Sequence, residues 1–441
     1  ARLDLAVSPG PAGTPLLDGR LGLAGALLSG RGEVPTDARG VLRPALALTL
    51  DKADLARLFP AVAAAIEPGA AVPARFTARL TRPDEGWRLD TLAGSLAGTN
   101  LSGALAYVPA AVEPLDVTLK ADRLGAARLL GFAAGRTGGT ATPWPDGPFG
   151  PVPLPDVPAR IGLALDALEL PGGLALAPAY LRVRLGGGAV SVDEISGRIG
   201  EAPLSGSLKL RRRGEVLEAE GHAALNGVDL TRLAVAAGVG AKPGLRGRAT
   251  LVLDVSGSGR SPAALAQSLA GQGSLAVDGF EVAGLDPRAL AAVMAATERG
   301  NPPDARRTTQ LFEQALMRGP LALPRFETPL SVLNGALRTG TARVTGAGGL
   351  RVSATGTLDL ARLSFEAALE LEDATEPRAS APPGALLSWR GPLAAPERRS
   401  DISALLAAIN LRALERETRR LEAGYGRPPD PAGPRPIAVP P

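Results

Sequence analysis

The chain has 441 residues, of which 45% are apolar but only 3% aromatic, with 55 Gly, 41 Pro and no Cys. That length allows a large core or one elongated repeat assembly, and the spread of Gly and Pro favours many short strands with frequent turns over long helices. The lack of Cys removes disulfides, thiolate metal sites and cysteine nucleophiles. The net charge of +4 is interspersed with acidic residues, whereas a nucleic-acid surface gathers basic groups on one face, so no nucleic-acid partner is expected.

The opening stretch, ARLDLAV at 1–7, already alternates apolar and polar residues. No apolar run approaches the ~18–20 residues of a membrane span, and the abrupt start is expected to follow a leading segment outside this chain. Residues 1–134 read as a first β-rich region. Residues 135–159, GRTGGTATPWPDGPFGPVPLPDVPA, hold many Gly and Pro and little alternation, the pattern of a linker. A second β-rich region is expected over 160–384. In it Leu181, Val183 and Leu185 alternate with Arg182 and Arg184, Leu208 and Leu210 flank Lys209, and Leu251, Leu253 and Val255 recur at every second position. Leu350 and Val352 repeat the pattern near the end of the region. Such alternation turns apolar side chains to one sheet face and polar ones to the other. Turns at 196–206, 211–215 and 347–349 separate the runs, so antiparallel hairpins with one wet face are expected.

Helical signals are few. Ser261 followed by Pro262 reads as a cap and first helical residue for 261–270, and Asp286 with Pro287 does the same for 286–299. Residues 304–318 are expected to pair with the latter as a helical insert. The segment 385–425 closes on a helix over 401–423, whose stripe is Ile402, Leu405, Leu406, Ile409, Ala413, Leu414 and Leu421, with Ser400 or Asp401 as its cap. Residues 373–384 read as a loop, and the Pro-rich tail 426–441 as disordered.

The string DLTRL at 229–233 has two near-copies, DLARL at 54–58 and at 359–363, each directly after an alternating stretch. The expected unit is a strand that ends where Asp leaves the sheet and caps a helical turn, after which the two leucines pack back over the sheet.

No catalytic constellation is found. His222 is the one histidine; with no second His and no Cys, zinc and most transition-metal sites are excluded from expectation. No G-x-S-x-G elbow accompanies it, and the acidic neighbours Asp193 and Glu194 point to opposite faces of a strand. No Gly-rich stretch ends in the Lys-Ser/Thr of a phosphate loop. Neither an enzyme nor a cofactor is expected. What remains is physical: many strands offer Leu, Val, Ile and Ala to one side, with few rings to fill a closed core. Either the sheet curls and leaves an open apolar gutter, on the order of 100 Å long for about twenty strands, or the leucine-rich turns and helices cover that face. The residues expected to line such a gutter are Leu181, Val183, Leu185, Leu208, Leu210, Leu251, Leu253, Val255, Leu350 and Val352.

The stretch 255–291, VSGSGRSPAALAQSLAGQGSLAVDGFEVAGLDPRALA, resembles the C-terminal region of the AsmA-like family of bacterial envelope proteins. The residues that carry the likeness are Gly257, Gly259, Leu265, Leu269, Gly271, Gly273, Gly279, Gly284, Leu285 and Asp286. TLDLARLSFEAALEL at 357–371 and WRGPLAAPERRSDISALL at 389–406 extend it toward alphaproteobacterial members. The resemblance implies a mainly β fold: an elongated, curled antiparallel sheet of repeated β-units, a groove of the bridge-like lipid-transfer type, with a few short helices and a C-terminal amphipathic helix. It further implies a periplasmic body anchored to the inner membrane by a span outside this chain. The implied partners are phospholipids, together with outer-membrane or periplasmic proteins. The alternative function is a scaffold or chaperone-like factor for outer-membrane protein assembly, working through exposed strand edges.

Overall fold

A computed structural model describes residues 2–10, 13–59, 71–134, 144–150, 157–170, 173–236, 244–298, 304–346, 349–373, 382–392 and 395–425. The first region contains β1 (Arg2–Pro9), β2 (Pro15–Leu23), β3 (Ala26–Glu33), β4 (Ala45–Asp54), α1 (Leu55–Leu58), β5 (Pro73–Thr81), β6 (Trp87–Leu96), β7 (Thr99–Tyr107), β8 (Leu115–Gly125) and α2 (Ala126–Ala134). The middle contains β9 (Ala159–Glu169), β10 (Ala175–Gly186), β11 (Ala189–Ile199), β12 (Ala202–Arg213), β13 (Val216–Asp229), α3 (Leu230–Ala236), β14 (Leu245–Gly259), α4 (Pro262–Ser268) and β15 (Ala270–Val282). Then follow α5 (Ala289–Thr297), α6 (Ala305–Leu316), β16 (Leu321–Leu323), β17 (Phe326–Leu333), β18 (Ala336–Thr339), β19 (Ala342–Thr345), β20 (Leu350–Asp359), β21 (Ser364–Asp373), β22 (Gly384–Pro392), β23 (Glu397–Asp401) and α7 (Ser403–Tyr425).

All 23 strands belong to one sheet. β1 to β15 lie side by side in chain order, antiparallel throughout except for the parallel pair β8–β9. β15 then pairs with β16 and β17, β17 leads through β18 to β20, β19 also pairs with β20, and β21, β22 and β23 complete the row. Among the described strands β1 and β23 each have one neighbour, so the sheet does not close. At ~4.8 Å per strand it runs roughly 100 Å.

The parallel pair has a simple cause. β9 starts at the margin where β8 starts, not at the margin where it ends, so that Leu115 stands beside Ala159 and Leu119 beside Leu163. The stretch 135–159 therefore joins two parts of one sheet. Residues 135–143 and 151–156 lie outside the described residues, but 144–150 is a strap docked along one margin. Trp144 Nε1 donates to Leu360 O at 2.7 Å, and the Phe149 N–H donates to Arg260 O at 3.0 Å. Arg212 Nη2 donates to Phe149 O at 2.9 Å, and the Phe149 ring is buried against Leu210 and Leu217.

Two features depart from a regular ladder. β-Bulges place an extra residue in β4, β6, β10, β11, β13 and β15, for example between Leu50 and Ala53, where Lys52 takes a φ of 53°; each adds local twist. Glycines on the apolar face let neighbouring strands close in. A Cβ at Gly271 would stand 2.0 Å from Asp254 O, and one at Gly273 2.1 Å from Val252 O.

The Asp-Leu-x-x-Leu closures behave as the spacing predicts in two of three places. Asp54 caps α1 by accepting from the Ala56 N–H, and Asp229 Oδ1 accepts from the Thr231 N–H at 2.7 Å. Leu55 and Leu58 pack on Ala53 and Ala74, and Leu230 and Leu233 on the cluster around Leu225 and Val228. The register puts both helices on the same margin, the one where β4 and β13 end. The third copy corrects the expectation: Asp359 Oδ1 accepts from the Arg362 N–H at 2.9 Å, but Leu363 turns into the left-handed region at φ 51° and the chain goes straight into β21. A strand that restarts at residue 364 leaves no length for a helix.

Other helices match more closely. Ser261 Oγ accepts from the Ala264 N–H at 3.2 Å at the start of α4, and Asp304 Oδ1 from the Arg307 N–H at 2.7 Å at the start of α6. Asp286 instead caps a turn by accepting from the Arg288 N–H at 2.8 Å, and α5 begins only at Ala289. Asp401 Oδ1 receives the Ser403 N–H at 2.8 Å before α7. The stripe drawn for that helix holds only over its first turns. Ile402, Leu405 and Ile409 are buried, whereas Leu414 and Leu421 are exposed because the helix continues past the edge of its support. The tail 426–441 and residues 374–381 lie outside the described residues.

Candidate functional site: the apolar face

Cross-strand partners share a face, so the register defines which residues look the same way. One row runs Val192–Leu208–Gly221–Val255–Gly271–Val332, and the next runs Ala223–Leu253–Gly273–Leu330. Ile161, Val183 and Val192 extend the first row back to β9, and Val117, Leu105 and Leu89 carry it to β6. In the other direction Val332 leads through Leu337 and Leu358 to Phe365. The result is a single apolar face on a sheet whose other face carries the charges.

All ten residues expected to line a gutter fall on this face. Their surroundings differ. Val183, Leu185, Leu208, Leu251, Leu253 and Val255 are half-buried. Leu181 and Leu210 are buried toward the two margins, Leu181 in the cluster around Leu176 and Leu225 and Leu210 beneath Phe149. Leu350 and Val352 are not part of an open surface. They lie under α5, α6 and α7, packed in one core with Phe312, Leu316, Leu387 and Leu405.

The helices thus cover the face in part. α1, α2 and α3 lie along one margin, with Leu58, Leu129 and Leu233 folded onto it. α4 and the strap 144–150 lie along the other, over β12 to β14, with Leu265 and Phe149 packed on Leu210 and Leu217. Between these margins runs the half-buried strip Val192–Leu208–Leu253–Val255: Val192 packs beside the cluster around Leu176 and Leu225 and Leu208 beside Phe149, Leu210 and Leu265, whereas Leu253 and Val255 belong to none of the buried clusters. The small residues Gly221, Ala223, Gly271 and Gly273 stand in the same rows. Sequence reasoning missed the strap; its one signal is the pair of rings Trp144 and Phe149 in a Gly- and Pro-rich stretch of a chain poor in aromatics.

The opposite face is polar. Ser207, His222, Asp254 and Gln272 stand in one row across β12 to β15, and His222 Nδ1 lies 2.7 Å from Asp254 Oδ1. With Lys209, Glu220 and Asp193 they surround a shallow, open depression. The row contains the side-chain types of a nucleophile, base and orienting acid. But these are interior strands whose N–H groups lie in the plane of the sheet, paired with neighbours, so none points at the row as an oxyanion donor. Acyl-transfer chemistry therefore has no electrostatic support there. Elsewhere on this face lie exposed ion pairs such as Arg351–Glu372 at 2.9 Å and Arg182–Glu194 at 3.3 Å, contacts worth ~0–1 kcal/mol each.

Compared with protein-family models, curated proteins and solved structures, the chain has no match.

Proposed function

We propose that this chain is an AsmA-like periplasmic lipid carrier, held at the inner membrane by a segment outside it, that supports phospholipid movement toward the outer membrane. Acyl chains lie along the strip between the helical margins while headgroups stay in water. The process is passive and uses neither a catalytic residue nor a cofactor. The observation that carries this reading is the half-buried apolar strip Val192–Leu208–Leu253–Val255, which lies between the helical margins inside a continuous apolar face. Exposed contiguous apolar surface of this kind marks a binding site on a folded protein, and a long, narrow, featureless one suits a flexible hydrocarbon rather than a rigid polar ligand. The family resemblance of residues 255–291 supports the same reading.

The test is native mass spectrometry of the purified chain, followed by extraction and identification of bound lipid. Phospholipid at several copies per chain is the expected result. A stably folded, lipid-free chain contradicts it and favours a scaffold that works through its strand edges. The strip itself is tested by Leu253→Asp and Leu208→Asp. Both side chains are half-buried, so a carboxylate there keeps access to water. Loss of bound lipid with an unchanged circular dichroism spectrum is expected; variants that fold and still carry lipid place the lipid elsewhere.

A further inference from the structure

α7 has two apolar sides. Over its first turns Ile402, Leu405, Ala408 and Ile409 are buried in the C-terminal core. A second strip consists of Ala404, Ala407, Leu411, Leu414, Thr418 and Leu421, spaced alternately by three and four residues. At 3.6 residues per turn the centre of this strip lies about 150° around the helix from the buried side. Leu414 is 67% exposed and Leu421 52%, so the strip is bare where the helix has left the core. The 3–4 spacing is that of a helix–helix seam, with apolar residues at the a and d positions of a heptad.

The charges beside the strip narrow the choice of occupant. From Leu411 onward, the e and g positions are Glu415, Glu417, Glu422 and Gly424, three of the four acidic, whereas Arg412, Arg416, Arg419 and Arg420 lie on the back of the helix. Arg419 and Arg420 reach Glu415 and Glu417 only at 3.7 Å, in exposed pairs, which leaves the carboxylates available to a partner. A second copy of this chain is disfavoured, because a parallel seam sets Glu417 of one copy against Glu422 of the other and an antiparallel seam sets like positions together. An anionic lipid surface is disfavoured by the same carboxylates, which sit where an interfacial helix carries Lys or Arg. Residues 427–441 of the same chain, RPPDPAGPRPIAVPP, lack the apolar a and d spacing of a seam partner in their sequence.

We infer that the exposed seam of α7 docks an amphipathic helix of another protein, one with apolar core positions flanked by Lys or Arg. The inference is independent of lipid binding. Opposite charge at e and g selects the partner and its orientation, and the leucines supply the buried contact.

The test uses the full chain and two fluorescently labelled synthetic helices of about three heptads, each with Leu at a and d, one with Lys and the other with Glu at e and g. Fluorescence anisotropy is expected to give about tenfold tighter binding of the Lys peptide, a preference that shrinks as salt is raised. Leu414→Gln with Leu421→Gln, at exposed positions and without loss of helix propensity, is expected to abolish binding with the circular dichroism spectrum unchanged. Reversal of the acids by Glu415→Lys, Glu417→Lys and Glu422→Lys is expected to transfer the preference to the Glu peptide. Equal affinity for the two peptides, binding of neither, or binding that survives the double Leu variant overturns the inference. So does a dimer in sedimentation, or co-sedimentation with phosphatidylglycerol vesicles, that the double Leu variant removes, since either assigns the seam to another occupant.

Discussion

The two ends of the sheet are built from the same alternation and end in opposite states. In the C-terminal part, β20 to β22 place Leu350, Val352, Leu371 and Leu387 under three helices, and Phe312 and Leu405 are 0% exposed. In β1 the equivalent face residues Leu3, Leu5 and Val7 are 60–67% exposed. The strands are no more apolar at one end than at the other. What closes the C-terminal face is the insertion of α5 and α6 between β15 and β16 and the return of α7 after β23. Arg398 and Ser400 of β23 both bond to Glu313 of α6, and Arg412 of α7 lies 3.9 Å from Glu298 at the end of α5, so the lid is fastened at its rim as well as packed at its centre. The middle of the sheet, with helices along its margins, is the intermediate case, and the proposed lipid site lies there.

Substitutions can break this contrast. Phe312→Ala removes the largest fully buried side chain of the closed end and is expected to cost about 4 kcal/mol in a urea unfolding experiment. Gly271→Val puts a side chain where the Asp254 carbonyl already stands 2.0 Å from a Cβ position. A loss of about 2 kcal/mol is expected, with faster hydrogen exchange confined to β14 and β15. Asp401→Ala removes the cap of α7, and about 1 kcal/mol is expected to go with it. The hydrogen bonds from the Ser403 hydroxyl and then its N–H hold the Asp401 carboxyl below the usual carboxylate range. Its contribution is therefore full above the unfolded value of ~3.9 and is lost as the pH falls through the lower folded value. The acid unfolding of the wild type below about pH 4 is expected to be less steep in Asp401→Ala. Leu5→Ser, on the open end, is expected to change stability by less than about 0.5 kcal/mol. A large effect there would mean that the N-terminal face is buried in solution.

Much of this was legible in the chain. Period-two alternation located the strands that carry Leu181, Leu208, Leu253 and Val352 and put all ten expected lining residues on one face. Ser261 and Asp401 marked their helices, because a cap is written in two or three adjacent residues. Burial was not legible. Leu251-Val252-Leu253 and Leu350-Arg351-Val352 read alike as strands. The second is sealed by Leu405 and Phe312, which are far from it in sequence and reach it only through the fold. The parallel step from β8 to β9 was hidden for the same reason, since alternation is blind to strand direction. The strap at 144–150 has no periodicity at all; backbone hydrogen bonds and Arg212 hold it, and neither leaves a pattern in the sequence.

The central claim is that the two faces of the middle strands differ, the apolar one holding lipid and the polar one water. A photoreactive phenylalanine analogue placed at Leu253 or Leu208 on one face, and at Lys209 or Asp254 on the other, tests it in membrane-containing cells expressing the chain. Phospholipid adducts from positions 253 and 208, with none from 209 and 254, are the expected result. Adducts from both faces alike, or from neither, would contradict the assignment of the strip.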